Sequence, residues 1–229
     1  DAWMNMEWWN RQGDPKLREE PFKGCPCYAA VDLAAKLDIA ARVKVYVKEV
    51  DGEAHYYAFG RFYVPESIGE DPSKRHYQGW VHDGHLIATG DDMTDYRRIR
   101  DELIDDHRAH AFLEVAFDPW GATQITQDLQ DEGITVLTVD QNARNLSDPM
   151  KSVEALTKAG RLHHDGNPCF SWQISNVTVR EDANENIFPR KEKPENKIDG
   201  ASALITAMSR ALLMDTGTSI YESRGVLVV

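Results

Sequence analysis

Cysteine is scarce: the 229 residues hold three, at Cys25, Cys27 and Cys169. An odd number without zinc-ribbon spacing excludes a disulfide framework and reads as reduced thiols. Long apolar runs are missing too. No stretch approaches the ~18 residues of a membrane-spanning helix, and the polar, Trp-rich opening does not resemble a leader. There is no Gly-x-x-x-x-Gly-Lys-Ser/Thr loop, so ATP hydrolysis through such a loop is not expected of this chain. Positive charge is short as well. Lys and Arg total 26 against 38 Asp and Glu, a net charge of −12. That balance predicts weak intrinsic affinity for nucleic acid. Acids gathered to hold metal ions would also make a chain acidic, and the bound cations offset part of that charge.

What is present suits a soluble globular domain. The hydrophobic fraction is 41% and the charged fraction 28%, both ordinary values. The length fits one large domain, or one domain with an extension. Residues 1–24 carry Trp3, Met4, Met6, Trp8 and Trp9. They read either as an N-terminal arm folded on the domain or as the remnant of an upstream domain or linker. From residue 25 the pattern turns to strands. Cys27–Leu33 is a short apolar run, Ile39–Val47 alternates, and Ala54–Tyr63 is aromatic. Asp51-Gly52 between the last two is a hairpin signal. His76–Gly84 reads as loop, His85–Thr89 as a short strand, and Asp95–His110 as an amphipathic helix.

The second half alternates. Phe112–Phe117 is a buried strand, Gly121–Gln130 a helix stopped by Gly133, and Ile134–Val139 another strand. Ser147–Ala159 is a helix capped by Ser147 or Asp148, with Pro149 in its first turn and Gly160 as its stop. Asn167 to about Val179 is predicted helical. Arg190–Lys197 is a charged loop, and Asp199–Met214 a helix. Antiparallel strands followed by alternating strand and helix imply an α/β fold: a mixed sheet of five or more strands with helices on both faces, of the ribonuclease H-like kind.

Three aspartates sit where an apolar strand ends or a helix begins: Asp32, Asp118 and Asp199. Taken singly, an Asp after a strand is a common turn residue and an Asp before a helix a common cap. Taken together, in a ribonuclease H-like sheet, they converge. The first strand is central, the fourth lies beside it, and the last helix packs across their ends. Asp38, six residues after Asp32, adds a fourth acid. Such an oxygen-rich set suits Mg²⁺ or Mn²⁺ and two-metal phosphodiester hydrolysis. Arg190, Lys191, Lys193 and Lys197 precede Asp199; they read as a solvated loop or as a grip on DNA phosphate. Lys74-Arg75 is a weaker candidate of that kind. His82/His85, His107/His110 and His163-His164 lack a zinc set's further ligand and read as ordinary histidines.

Four segments together resemble the nuclease domain of the large terminase subunit of tailed bacteriophages. They are Tyr28-Ala-Ala-Val-Asp-Leu-Ala-Ala-Lys-Leu-Asp38, Phe117-Asp-Pro-Trp-Gly121, Asn167-Pro-Cys-Phe-Ser-Trp-Gln-Ile-Ser-Asn176 and Lys197-Ile-Asp-Gly-Ala-Ser-Ala-Leu-Ile-Thr-Ala-Met208. The resemblance implies a ribonuclease H-like nuclease domain over residues 25–229. It implies that Asp32, Asp118 and Asp199 hold two Mg²⁺ or Mn²⁺ ions, with Asp38 beside them. It further implies cleavage of double-stranded DNA during viral genome packaging in the host cytoplasm. The implied partners are a packaging ATPase domain of the same full-length protein, the small terminase subunit and the portal, with no membrane. The missing phosphate-binding loop implies that the ATPase lies outside this chain. A Holliday-junction resolvase or transposase shares the acid geometry. A non-catalytic packaging or docking module would keep the fold alone.

Overall fold

The hairpin signal Asp51-Gly52 is where the sheet is founded. Both residues have positive φ, 52° and 82°, the requirement of a two-residue turn that matches strand twist. It joins β2 (Ala40–Val50) to β3 (Glu53–Val64) in a long antiparallel ladder. The structure, a computed structural model, describes residues 1–33, 38–90, 92–119 and 123–215. β1 (Cys27–Asp32) pairs antiparallel with β2 and parallel with β5 (Glu114–Phe117), which pairs with β6 (Val136–Thr138). The outer edge of β3 is taken in two places. β7 (Leu162–His164) pairs with Tyr56–Ala58, and β4 (Ile87–Ala88) with Tyr63–Val64. Between them the Asp165 carboxylate accepts the Gly60 amide at 3.1 Å. The result is a seven-stranded mixed sheet of order β4-β3-β2-β1-β5-β6, with β7 as the seventh strand beside β4 on the same edge of β3.

Strand alternation sends side chains to two cores. One holds Ala29, Val31, Tyr46, Val115 and Phe117 under α4 (Tyr96–His110) and α5 (Thr123–Asp131). The other holds Ala30, Val43, Val45 and Ala116 under four helices: α1 (Met6–Arg11), α6 (Ala143–Lys158), α7 (Pro168–Ser175) and α8 (Asp199–Asp215). α8 packs on β1, β2 and β5 and is covered by α6 and α7. A helix so enclosed is apolar nearly all round; Ala201, Ala203, Leu204, Ile205, Ala207, Met208 and Ala211 are all buried. No helix among the described residues is long and apolar enough to cross a membrane.

Residues 1–24 pack on this domain. The Trp3 amide donates to Val177 O at 3.1 Å, and the Trp9 indole stacks on His164 with centroids 4.0 Å apart. Phe22 is buried in the opposite core.

Four sequence expectations are corrected. His76–Gly84 is not loop but mostly α3 (Arg75–His82), with α2 (Glu66–Gly69) before it. Tyr77, Trp80 and Val81 pack its apolar face onto the core, which outweighs a glycine in the helix. α6 starts at Ala143, capped by Asn142, which accepts from the Asn145 amide at 3.0 Å; Pro149 therefore lies inside the helix. Ser147 does not cap, because its hydroxyl accepts the Ile187 amide at 3.1 Å. The helix from Asn167 ends at Ser175, and β8 (Thr178–Val179) pairs with β9 (Pro189–Arg190). β7 is a strand with no expected counterpart. Gly121, the expected start of α5, lies outside the described residues.

A buried ion pair ties α8 to the sheet. Arg210 donates to Glu114 from Nε at 2.6 Å and from the second nitrogen at 3.0 Å. Their side chains are 7% and 6% exposed. Arg210→Met strands the Glu114 carboxylate, so the expected loss is about 3–5 kcal/mol, or roughly 6–20 °C in melting temperature. Arg210→Met combined with Glu114→Leu should recover most of it, as thermal melts of the two variants and the parent will show.

Candidate functional site

Side-chain parity builds the site. On β1, Tyr28 and Ala30 face α8, while Ala29 and Val31 face α4. Alternation then turns Asp32 toward α8. On β5, Ala116 faces α8, and Val115 and Phe117 face away, so the same alternation carries Asp118 to the α8 side. β1 and β5 run parallel with Val31 opposite Phe117. Asp32 and Asp118 are the next residues of each chain, at the carboxyl edge of adjacent strands.

α8 brings the third acid. It runs back along β5 from that edge. Arg210 reaches Glu114 near the strand's start, and the Tyr28 hydroxyl, level with Glu114, donates to Met214 Sδ at 3.4 Å. Eleven helical residues span about 16 Å and four strand residues about 13 Å. Asp199 therefore stands over the level of Asp32 and Asp118. Gly200 permits the approach: a Cβ there would lie 2.7 Å from the Phe62 ring and 3.2 Å from Gln173. The Gly200 amide donates to Gln173 Oε1 at 2.8 Å, satisfying an orphan donor of the helix start. Asn176 holds the entering chain by donating to Lys197 O at 3.0 Å. Asn167 caps α7, accepting from Cys169 at 2.9 Å, and donates to His85 O at 3.1 Å. Gln173 and Asn176 were not singled out for these roles. Their signal, polar residues in an otherwise apolar segment before the acid helix, was in the sequence.

The electrostatics record the crowding. Burial first, then the charges of Asp199, Asp118 and Asp38, raise the Asp32 pKa well above the ordinary carboxylate range, against the pull of Lys191. Asp199 is raised to about 6 by burial and Asp38, opposed by its own amide, Lys191 and Lys197. Asp38 accepts the Lys197 ammonium at 2.6 Å and the Ile39 amide at 3.1 Å. Of the four expected basic residues, Lys197 is thus paired within the acid group and Lys191 acts on it through charge. Arg190 lies on β9, and Arg190 and Lys193 are exposed. Lys74 lies 5.7 Å over the Tyr77 ring. Among the histidines, His164 is held neutral between Trp9 and the sheet, its pKa lowered to about 4 by burial, and His107 Nδ1 accepts the Phe112 amide at 3.0 Å.

An all-oxygen, desolvated and self-repelling donor set is the chemistry a hard divalent cation fits. Among the described residues, however, no group of three or more His, Cys, Asp or Glu side chains is arranged to hold a metal as it stands. The two observations agree, because charge acts over several Å more than a coordination bond of about 2 Å. The acids share a field without closing a coordination shell.

A carboxylate whose folded pKa lies above its unfolded value takes up protons on folding. Asp199, at about 6 against 3.8, adds stability that is complete below about pH 4 and is lost as the pH rises through about 6. Asp32 acts in the same direction. The cation-free protein should therefore lose melting temperature across that window, and Asp199→Asn should flatten the loss. Melts at a series of pH values in EDTA are the measurement; a slope unchanged in Asp199→Asn would contradict this electrostatics.

The comparisons with known proteins bear on this arrangement. The family model described as "Terminase large subunit, endonuclease domain" matches residues 1–215. Protein YmfN of Escherichia coli (strain K12) is 41% identical over 238 residues, covering 98% of this chain and 52% of its own length. The HK97 bacteriophage large terminase crystal structure superposes with a TM-score of 0.79 at 23% identity, over 92% of this chain and 43% of that one. The nuclease domain of the large terminase of bacteriophage SPP1, solved with bound Mn, gives 0.50 at 15% identity, over 81% and 86%. This chain thus spans about half the length of YmfN or less than half of the HK97 protein. The fold is that of the terminase nucleases, ribonuclease H-like, and the chain belongs to the terminase large subunit endonuclease domain family.

Proposed function

We propose that this chain is a divalent-metal-dependent endonuclease that cuts double-stranded DNA during viral genome packaging. The observation that carries the reading is the gathering of Asp38, Asp118 and Asp199 around the half-buried Asp32 at one sheet edge. A related nuclease domain solved with bound Mn supports the cofactor class. Two Mg²⁺ or Mn²⁺ ions bound there would supply an activated water and charge neutralisation at the scissile phosphate. Asp32, on the central strand, would be the ligand shared between them. Asp118 and Asp199 flank it and would each serve mainly one. Asp38 holds Lys197 at the rim, where the ammonium keeps a cation beside the incoming phosphate. Gln173 and Asn176 orient Asp199 by fixing the start of α8. The partners of this reading are double-stranded DNA, a packaging ATPase domain, the small terminase subunit and the portal, in the host cytoplasm.

A second reading, a packaging module that keeps the fold without catalysis, is favoured by one observation. Among the described residues no three acids close on a metal position. It predicts a parent protein inert with Mn²⁺.

Asp199→Asn preserves size and backbone, so it should fold and still lose cleavage. Residues beyond the first ligand shell already cost 10–100-fold, so the expected loss is at least roughly 100-fold. Plasmid nicking with Mn²⁺ measures it; a variant cutting as fast as the parent removes Asp199 from the site.

The exposed Arg190 and Lys193 are assigned to phosphate contact. Replacing both with Ser should weaken binding for all sequences alike and lower the slope of log affinity against log salt by about two. An unchanged slope returns both to solvent.

A further inference from the structure

We propose that a groove of aromatic rings beside the acid cluster stacks an unpaired nucleobase of the strand being cut. The proposal rests on the nuclease reading for the identity of its ligand. α3 and α7 meet over a groove of about 710 Å³, closed on one side by residues 194–197. That volume is within the range of small-ligand sites. Its floor is aromatic. The Trp80 and Trp172 rings lie 5.4 Å apart at 53°. His76 lies 5.1 Å from Trp80 and 5.3 Å from Trp172, and buried Tyr77 lies 5.8 Å from Trp80. The two Trp rings pack on the core yet stay partly exposed, and His76 is exposed. Packed on the core from below, the rings keep part of their faces open to solvent in one place, a surface on which a planar ligand can stack.

Charge and position choose the occupant. Lys74 and Lys197 flank the rings, with Glu195 the one acid in the lining and Asp71 3.8 Å from Lys74. Lys197 also holds Asp38 at 2.6 Å, and the charges of Asp38 and Asp199 reach the Tyr77 hydroxyl. A phosphate at the acids and the base attached to it would therefore fall on the cations and the rings respectively. Burial and Lys74 lower the pKa of His76, so it meets a base as a neutral ring. Nothing in the floor demands one base over another, as stacking is tolerant of sequence. A base inside a duplex has no free face, so the groove takes a base at a frayed or nicked position.

The test uses a short single strand with 2-aminopurine at one position, titrated with calcium present to screen the carboxylates. The parent should quench the 2-aminopurine fluorescence. Trp80→Ala or Trp172→Ala should weaken binding roughly 5- to 100-fold, with Trp80→Phe and Trp172→Phe near the parent. A fully paired duplex of the same sequence should show no quenching. Should the alanine variants melt early, His76→Ala carries the test, with a severalfold loss expected. Quenching that persists in the alanine variants, or affinities equal to the parent, overturns the proposal. Quenching by a parent that does not nick plasmid with Mn²⁺ would sink the nuclease reading and spare the groove; nicking with Mn²⁺ but no quenching would do the reverse.

Discussion

The buried pair of Glu114 and Arg210 sets the position of the last helix, and the acid cluster depends on that position. α8 is buried nearly all round and rich in alanine. Such a surface is smooth, and hydrophobic burial is non-directional, so packing alone does not distinguish one axial position from the next. The two-pronged hydrogen bond of Arg210 does, because a guanidinium meets a carboxylate in a single planar geometry. A slip of one residue would rotate Asp199 by about 100°, away from Asp32. Holding register is the best-attested use of a buried polar pair, whose desolvation otherwise cancels much of its attraction. At the other end Gly200 lets the helix start close on Phe62, and Gln173 satisfies the amide exposed by that start.

Elements whose pattern is local were legible in the sequence. β1, the β2–β3 hairpin, α4 and α8 each carry their own signal: an apolar run, Asp51-Gly52, an amphipathic period, an apolar helical stretch. The misread elements take their structure from partners far along the chain. α3 contains Gly79 and two histidines and is held by the packing of Tyr77 and Trp80 on Trp172. β7 is three residues long, two of them His, and exists because β3 offers an edge. Ser147 has the chemistry of a cap but spends its hydroxyl on Ile187, forty residues away.

The acids follow the same division. That Asp32, Asp118 and Asp199 share an edge could be argued from strand ends and a helix start, because parity and topology are properties of the pattern. The bond of Lys197 to Asp38, and the grip of Gln173 and Asn176 on the start of α8, are long-range side-chain choices that no periodicity encodes. The basic segment, a single loop in the sequence, divides in space. Lys197 turns into the acid group, while Arg190 and Lys193 face solvent.

The outer edge of β3 has a consequence for how this protein behaves at high concentration. A twelve-residue strand rich in Tyr and Phe at the border of a sheet would be an open template for another chain. Here β7 takes one end, β4 the other, and the Asp165 carboxylate occupies the Gly60 amide between them. The ladder groups left over are too few to register a foreign strand. The border is closed by short pieces rather than by one long partner, so at this side of the sheet another copy meets no long run of free ladder groups.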